Sequence, residues 1–489
     1  MAAPASFYWH DYETFGRDAA LDRAVQFAGI RTDAELNEIG EPLDILCQQP
    51  EDYLPHAGAL MVHGITPQRA NAEGLPEPQF IARIHAELAT PGTCGVGYNT
   101  LRFDDEFTRF SLYRNFYDPY EREFRNGNSR WDLIDVMRLA RLLRPEGIRW
   151  PDLEGKPSFK LEQLAAANGL LHEKAHDALS DVRATIALAR LLRAAQPKLF
   201  EWALNARDKA WVLQQLPVRD PKPVLHVSSR FPAEQGCGAL VLPIAMHPVN
   251  RNSVIVCNLT LDPSPLIELD AARISEFMYT RTEDLPPGIG RIPLKEIKAN
   301  KCPMLAPATM LTPAIAERVG IDLEACERNA ARLLAAPGLP AKLREVYAIP
   351  REPGAQRDPE AALYEGFLDD RDKALFPAVR AAGETELRER RFLFRDPRLT
   401  TLFFRYRARN FPGSLSAEER AEWQEHLEQR RHGAPQHGVL DCLGFMAAIE
   451  EARAKHAGDT ARSRLLDELA AWGAQTCGRS LTGEAADAP

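Results

Sequence analysis

Two carboxylates stand one residue apart near the N-terminus, in the run Phe7-Tyr8-Trp9-His10-Asp11-Tyr12-Glu13. On a β-strand, residues two apart face the same side, so Asp11 and Glu13 present two negative groups together. Like charges that close repel unless a cation lies between them. Alone, such a pair is as readily an acidic strand end facing water. Two later segments change the balance: Asn99-Thr100-Leu101-Arg102-Phe103-Asp104 and His176-Asp177-Ala178-Leu179-Ser180-Asp181. Together the three segments supply four carboxylates, Asp11, Glu13, Asp104 and Asp181, and one imidazole. Hard oxygen ligands of this kind hold divalent cations, with magnesium the usual choice in phosphate chemistry. Two such ions about 3.5–4 Å apart stabilise both the attacking and the leaving oxygen of phosphodiester cleavage. His176, with an unperturbed pKa of about 6.5, suits a general base that deprotonates the attacking water.

These side chains need a scaffold that brings distant segments together. Residues 6–195 read as α/β. The pattern predicts strands at Ser6–Tyr12, Ala24–Asp33, Ile39–Gln48, Cys94–Tyr98 and Arg130–Val136. It predicts helices from Pro67 (with Thr66 as N-cap), from Asp104, over Met137–Leu143, over Phe159–Asn168 closed by Gly169, and over Asp177–Ala195. On the last of these, Val182, Ile186 and Ala189 form one apolar stripe. Asp181 shares the adjacent stripe with Thr185, Leu188 and Leu192, so it tends inward, where an unpaired carboxylate is costly. Residues 198–350 change character, with strands predicted at Val224–Val227, Ala239–Pro243 and Ser253–Leu261 and helices at Pro313–Val319 and Glu324–Ala335. The expected division is 1–197, 198–350, a Pro/Gly-containing linker at 351–359, a charged helical region at 360–478 and a small, polar, disordered tail at 479–489.

The chain has 489 residues, too many for one core. At 45% hydrophobic and 26% charged its composition is ordinary for a globular protein. No run approaches the ~18 apolar residues of a membrane span, and no signal peptide is visible at the N-terminus, so a cytoplasmic location is expected. The eight cysteines are scattered without a CxxC pair, which argues against a zinc site and fits reduced thiols. A net charge of −9 does not itself suggest a nucleic-acid binder, but a local basic channel can exist on an acidic protein. The cations are mostly arginine, which suits bidentate phosphate contacts and equally reflects a GC-rich genome.

Asp11-x-Glu13, Asn99-x3-Phe103-Asp104 and His176-x4-Asp181 resemble the three motifs of the DEDD exonuclease superfamily, histidine branch. Asp105 competes with Asp104 for the second motif, and the Asn/Phe spacing favours Asp104. Other segments resemble the bacterial exonuclease I family: Asp11-Tyr12-Glu13-Thr14-Phe15-Gly16, Gly64-Ile65-Thr66-Pro67, Tyr113–Tyr120, Asn128–Leu133, Leu143–Ile148, Asn300-Lys301-Cys302-Pro303 and Tyr406–Gly413. The resemblance covers nearly the whole chain. It implies an α/β ribonuclease-H-like nuclease domain, an SH3-like β-barrel domain and a C-terminal α-helical domain enclosing a groove for single-stranded DNA. It implies a monomeric, magnesium-dependent 3′→5′ exonuclease that releases 5′-mononucleotides in DNA repair and recombination, with two ions per site and manganese as a substitute. Arg109, Tyr120, Arg138 and Lys160 match its DNA-contact positions, Lys160 standing where arginine is usual. Phe124 is a further candidate for base stacking. Arg144 and Lys222 match a basic surface that receives the acidic tail of single-strand-binding protein. Trp131 reads as core, and His10 and His63 as structural.

Three other readings compete. An RNA-trimming or proofreading exonuclease shares the catalytic core, but the long C-terminal region argues against it. A catalytically dead single-strand-binding scaffold is disfavoured by intact carboxylates and His176. A glycoside hydrolase needs two acids and leaves the other two carboxylates and His176 unexplained.

Overall fold

The computed structural model describes residues 4–170, 177–350, 357–433 and 438–478. A five-stranded sheet is built from β1 (Ser6–Thr14), β2 (Ala24–Thr32), β3 (Leu43–Leu46), β4 (Thr93–Gly97) and β5 (Ser129–Asp132), in the order β3-β2-β1-β4-β5. β1 is central, antiparallel to β2 and parallel to β4. Its only residue that is not buried is half-buried Asp11, as a strand covered on both faces requires. Trp9 is fully buried and its Nε1 donates to Thr32 Oγ1 at 2.9 Å. β3 is shorter than the sequence predicts; Pro42 just before it has no N–H for a ladder.

Three helices fix the site. α1 (Asp104–Arg114) follows β4 after a tight turn. Gly97 permits that turn, since a Cβ there would sit 2.6 Å from the His10 carbonyl oxygen and 2.0 Å from Thr100 Cγ2. α2 (Leu133–Leu143) begins where the sequence predicts strand to continue. The strand stops at Asp132 because its carboxylate caps the helix, accepting from the Ile134 N–H at 3.1 Å. The same carboxylate accepts from the N–H groups of Asn99 and Leu101. α3 (Ala178–Ala195) is capped by Asp177, which accepts from the Ser180 N–H, and packs across β1 and β2. Val182, Ile186 and Ala189 are buried as their spacing predicts.

A second sheet, antiparallel throughout, comprises β6 (Val224–Val227), β7 (Gly238–Met246), β8 (Ser253–Asn258), β9 (Leu294–Lys298) and β10 (Met304–Pro307) in the order β9-β8-β7-β6-β10. The last two strands escape the sequence pattern: three of the five residues of β9 are charged, and β10 is a short apolar run without alternation that ends in proline. Leu139 and Leu142 of α2 join Leu225, Val241 and Ile255 in one continuous core, so the first two units share their interior.

The third unit is helical, with α4 (Pro397–Asn410), α5 (Ala417–His432), α6 (Cys442–Lys455) and α7 (Thr460–Cys477) as its longest members. Phe107, Phe110 and Phe116 pack with Phe376, Leu399, Leu402 and Tyr406 of this unit. Residues 351–356 of the expected linker, and the whole expected tail, lie outside the described residues. The linker's end is fixed rather than loose: Asp358 accepts from Arg405 at 2.7 and 2.8 Å. Beside it, Arg409 bridges Glu360 (2.6 Å) and Asp52 (2.5 Å), and Arg23 reaches Glu360 at 2.6 Å. The side chains of Arg409, Glu360, Asp52 and Arg23 are at most 9% exposed.

One sequence reading is corrected. Cys442 and Cys477 are joined in a disulfide, with Cα atoms 6.0 Å apart; Cys47, Cys94, Cys237, Cys257, Cys302 and Cys326 are free and buried. Packing of α6 on α7 unites residues 35 apart in sequence, a proximity no spacing motif encodes.

Removing one partner of a buried ion pair leaves an uncompensated charge. Arg409→Ala is therefore expected to destabilise the chain by ~3–5 kcal/mol, read as a lower denaturant midpoint of unfolding.

Candidate active site

β1 outruns its parallel neighbour. The β1–β4 ladder ends at Trp9↔Val96, yet β1 continues to Thr14. The Tyr12 N–H, beyond that ladder, donates to Asp104 Oδ1 at 3.0 Å. The first residue of α1 thus takes the place of the missing strand, and Asp104 is only 2% exposed. Period-2 geometry puts Asp11 and Glu13 on one face, and α3 crosses above them with Asp181. Carboxylate oxygens of Asp11, Glu13 and Asp181 all lie within 4.8 Å of one another.

The electrostatics are those of like charges under burial. Asp11 is pushed well above the carboxylate range, first by burial, then by Asp104, Glu13 and Asp181. Glu13 rises to about 8 through burial, Asp181, Asp104 and Asp177. Asp104 also rises to about 8; burial drives it, and the backbone N–H groups it accepts from oppose the shift. Among the described residues, the charges that act most strongly on Asp11 and Glu13 are carboxylates. Hard oxygens clustered in this way fit one or more divalent ions.

Asp104 and Asp105 separate cleanly. Asp105 accepts from Arg122 at 2.5 Å and Arg130 at 2.7 Å, and those guanidinium groups overcome burial to hold it far below the carboxylate range. It belongs to the interior framework. His176 lies outside the described residues; its neighbour Asp177 caps α3.

The other sequence candidates are placed diversely. Arg109 is buried and forks onto Glu123 at 2.7 and 2.9 Å, with its guanidinium 5.4 Å from the Tyr120 ring. Tyr120 is half-buried and Phe124 is 66% exposed. Arg138 pairs with Asp135 and lies over Phe159. Lys160 is exposed, 4.0 Å from Glu162. Arg144 lines an apolar cavity of about 420 Å³ with Leu139, Leu143, Trp202, Pro307 and Met310. Lys222 is exposed, pairs with Asp220 at 2.8 Å and is not in that lining. Trp131 is core and His10 is buried, its pKa lowered to about 4 by burial. The Ile65 N–H donates to His63 Nδ1.

Two aromatics went unread in the sequence. Tyr364 is half exposed, and its hydroxyl meets Glu106 and Arg109. Phe367 is 91% exposed, with its ring 6.2 Å from that of Tyr120. No periodicity signals them, because each follows a short turn outside the long helices; their exposure is the informative feature.

Comparison with known proteins gives consistent matches along the chain. The family model described as "Exonuclease" matches residues 8–189, "Exonuclease I SH3-like domain" matches 207–349, and "Exonuclease I C-terminal domain" matches 357–476. Exodeoxyribonuclease I of Haemophilus influenzae is 41% identical over 480 residues, 98% of this chain and 100% of that protein. The crystal structure of Escherichia coli exonuclease I with a dA16 oligonucleotide superposes with a TM-score of 0.92 at 43% identity, covering 96% of this chain and 100% of that one. A zinc-bound form of the E. coli enzyme with single-stranded DNA gives 0.91 at 43% identity, covering 97% and 100%.

The raised pKa values fix the sign of a pH effect. Carboxyls whose folded pKa lies above the unfolded value stabilise the metal-free fold at low pH and lose that contribution as pH rises through the folded value. Metal-free protein is expected to lose melting temperature between about pH 5 and 8, a tenfold change in a carboxyl's proton affinity corresponding to ~1.4 kcal/mol. Asp11→Asn should flatten that slope, and added magnesium should restore stability at pH 8. Calorimetric scans with and without EDTA check this.

Proposed function

The chain belongs to the exonuclease I family, and on that premise we propose that it degrades single-stranded DNA from the 3′ end by hydrolysis. The observation that carries the reading is the cluster of Asp11, Glu13 and Asp181 carboxylates at the end of β1, with Asp104 fixed beside β1 by the Tyr12 N–H.

Asp11, Glu13, Asp104 and Asp181 hold magnesium, two ions in the full site, with manganese able to replace it. Bound ions supply Lewis-acid stabilisation of the attacking and leaving oxygens. His176 takes the proton from the attacking water, and the product is a 5′-mononucleotide. The Asp104–Tyr12 hydrogen bond fixes one ligand against β1. Phosphates meet Arg109, Arg138 and Lys160, and bases stack on Tyr120, Phe124 and Phe367. The SH3-like and helical domains enclose the strand, which favours many cuts per encounter, and the activity serves DNA repair in the cytoplasm by a monomer.

Single-strand-binding protein is the proposed partner. Its tail, acidic with an apolar end, matches the cavity at Leu143 and Trp202, with Arg144 at hand for a carboxylate. Lys222 adds positive charge from outside the lining.

On 3′-labelled single-stranded DNA, EDTA should abolish cleavage and magnesium restore it, whereas blunt duplex should be a poor substrate; cleavage that persists in EDTA would refute the reading. Asp181→Ala should abolish cleavage while DNA binding in calcium survives. His176→Ala should slow the reaction ~10²–10⁴-fold with metal affinity little changed by titration calorimetry.

Arg144→Glu should weaken a labelled tail peptide in fluorescence anisotropy without altering cleavage of naked DNA. Unchanged peptide affinity would move the docking site elsewhere.

A further inference from the structure

Three consecutive carboxylates open α1, and they leave the helix in three directions, as successive turns of about 100° dictate. Asp104 faces the Tyr12 N–H and the acidic cluster. Asp105 enters the interior between Arg122 and Arg130. Glu106 reaches the other two domains. Its Oε1 accepts from Lys301 Nζ at 3.0 Å and from Arg109 Nη1 at 2.8 Å, and its Oε2 accepts from the Tyr364 hydroxyl. Lys301 belongs to the SH3-like domain and Tyr364 to the C-terminal domain. One carboxylate therefore touches all three domains, two residues from Asp104.

The surroundings reinforce this junction. Lys301 Nζ also donates to the Leu101 carbonyl at 3.4 Å. Arg130 Nη2 donates to the Asn300 carbonyl at 3.2 Å, and Cys302 Sγ donates to the Arg130 carbonyl at 3.0 Å. The Asn300-Lys301-Cys302-Pro303 segment thus docks on the nuclease domain at every one of its first three residues. Cys302 holds a left-handed φ of 45°, a conformation a non-glycine residue keeps only where its surroundings enforce it.

We propose that Glu106 is a positioning residue: it locks the SH3-like and C-terminal domains to the helix that carries Asp104, so that the enclosing groove and the active site stay in register from one cut to the next. This rests on the exonuclease reading above. A strand shortened by one nucleotide must advance while still held, and domains free to shift against α1 would release it instead. Glu106 and Lys301 are not in the acidic cluster of Asp11, Glu13 and Asp181, so the coupling can be separated from the chemistry.

The test uses full-length protein, an end-labelled strand of several hundred nucleotides with excess unlabelled trap, and single-turnover cleavage of a tetranucleotide. Glu106→Gln and Lys301→Met should each shorten the mean run about tenfold, equivalent to ~1.4 kcal/mol, and raise KM on the long strand. The first cut on the tetranucleotide should stay within about twofold. Lys301→Arg should restore the run, and the double variant should be no worse than either single one. Unchanged run lengths, losses that add in the double variant, or an equal loss on the tetranucleotide would each overturn the proposal. A wild-type enzyme that leaves the strand after few cuts would sink the enclosure reading itself, and that failure is visible without any variant.

Discussion

Mutual repulsion among carboxylates gathered in a buried place is the constraint on which the rest of this structure depends. Asp11, Glu13, Asp104 and Asp181 come from three segments separated by up to 170 residues of chain, and nothing in their own chemistry draws them together without a cation. The fold must hold them by other means. β1 is hydrogen-bonded on both sides and buried on both faces, α3 is pressed on it by an apolar stripe, and α1 is pinned to it by the Tyr12 N–H. Rigid elements carry these carboxylates, so a cation entering the cluster would meet groups already in place. The cost is a set of carboxyls that burial and one another's charge push above their ordinary range, Glu13 and Asp104 to about 8.

That constraint explains why so little of the N-terminal unit is left to loops. Gly97 permits the turn into α1, Asp132 ties that turn down by accepting from Asn99 and Leu101, and the same carboxylate starts α2. One buried acid thereby fixes both the approach to Asp104 and the helix that joins the first two cores. The buried charges elsewhere differ in kind. Asp105, Glu360 and Asp52 are each matched by arginines at hydrogen-bonding distance. Oppositely charged pairs lock domains; the like-charged cluster is where chemistry is expected.

The site was legible in the sequence because its signals are local. Asp11-x-Glu13 needs only the two-residue period of a strand, Asp104 only a helix start, and Asp181 only a stripe assignment on an amphipathic helix. The fold class and the family were legible for the same reason. What escaped depended on tertiary context. The strand predicted to run to Val136 ends at Asp132, because a capping hydrogen bond outweighs apolar alternation. β9 is mostly charged, and β10 is an apolar run without alternation. The Cys442–Cys477 disulfide and the Tyr364–Glu106 contact join residues whose separation carries no motif. The sequence places Arg109 at a DNA-contact position of the family, and carries no sign that in the fold its guanidinium is already engaged by Glu123 and Glu106.

Arg109 held in this way would shape how the proposed groove takes DNA. A guanidinium has five donors in a fixed fork, and Arg109 directs Nε and Nη2 to Glu123 and Nη1 to Glu106 and Tyr364. Its position is therefore set before any strand arrives, with its charge partly offset by the same carboxylates. A phosphate entering beside it would meet a preorganised cation rather than a flexible one, and would lose less side-chain entropy in the contact. Sequence-independent holding needs many such modest contacts rather than a few strong ones, since each must be released at every step. In the proposed groove, a network that neutralises as it positions would suit that demand: it would hold Arg109 in place while limiting how tightly any single phosphate is bound.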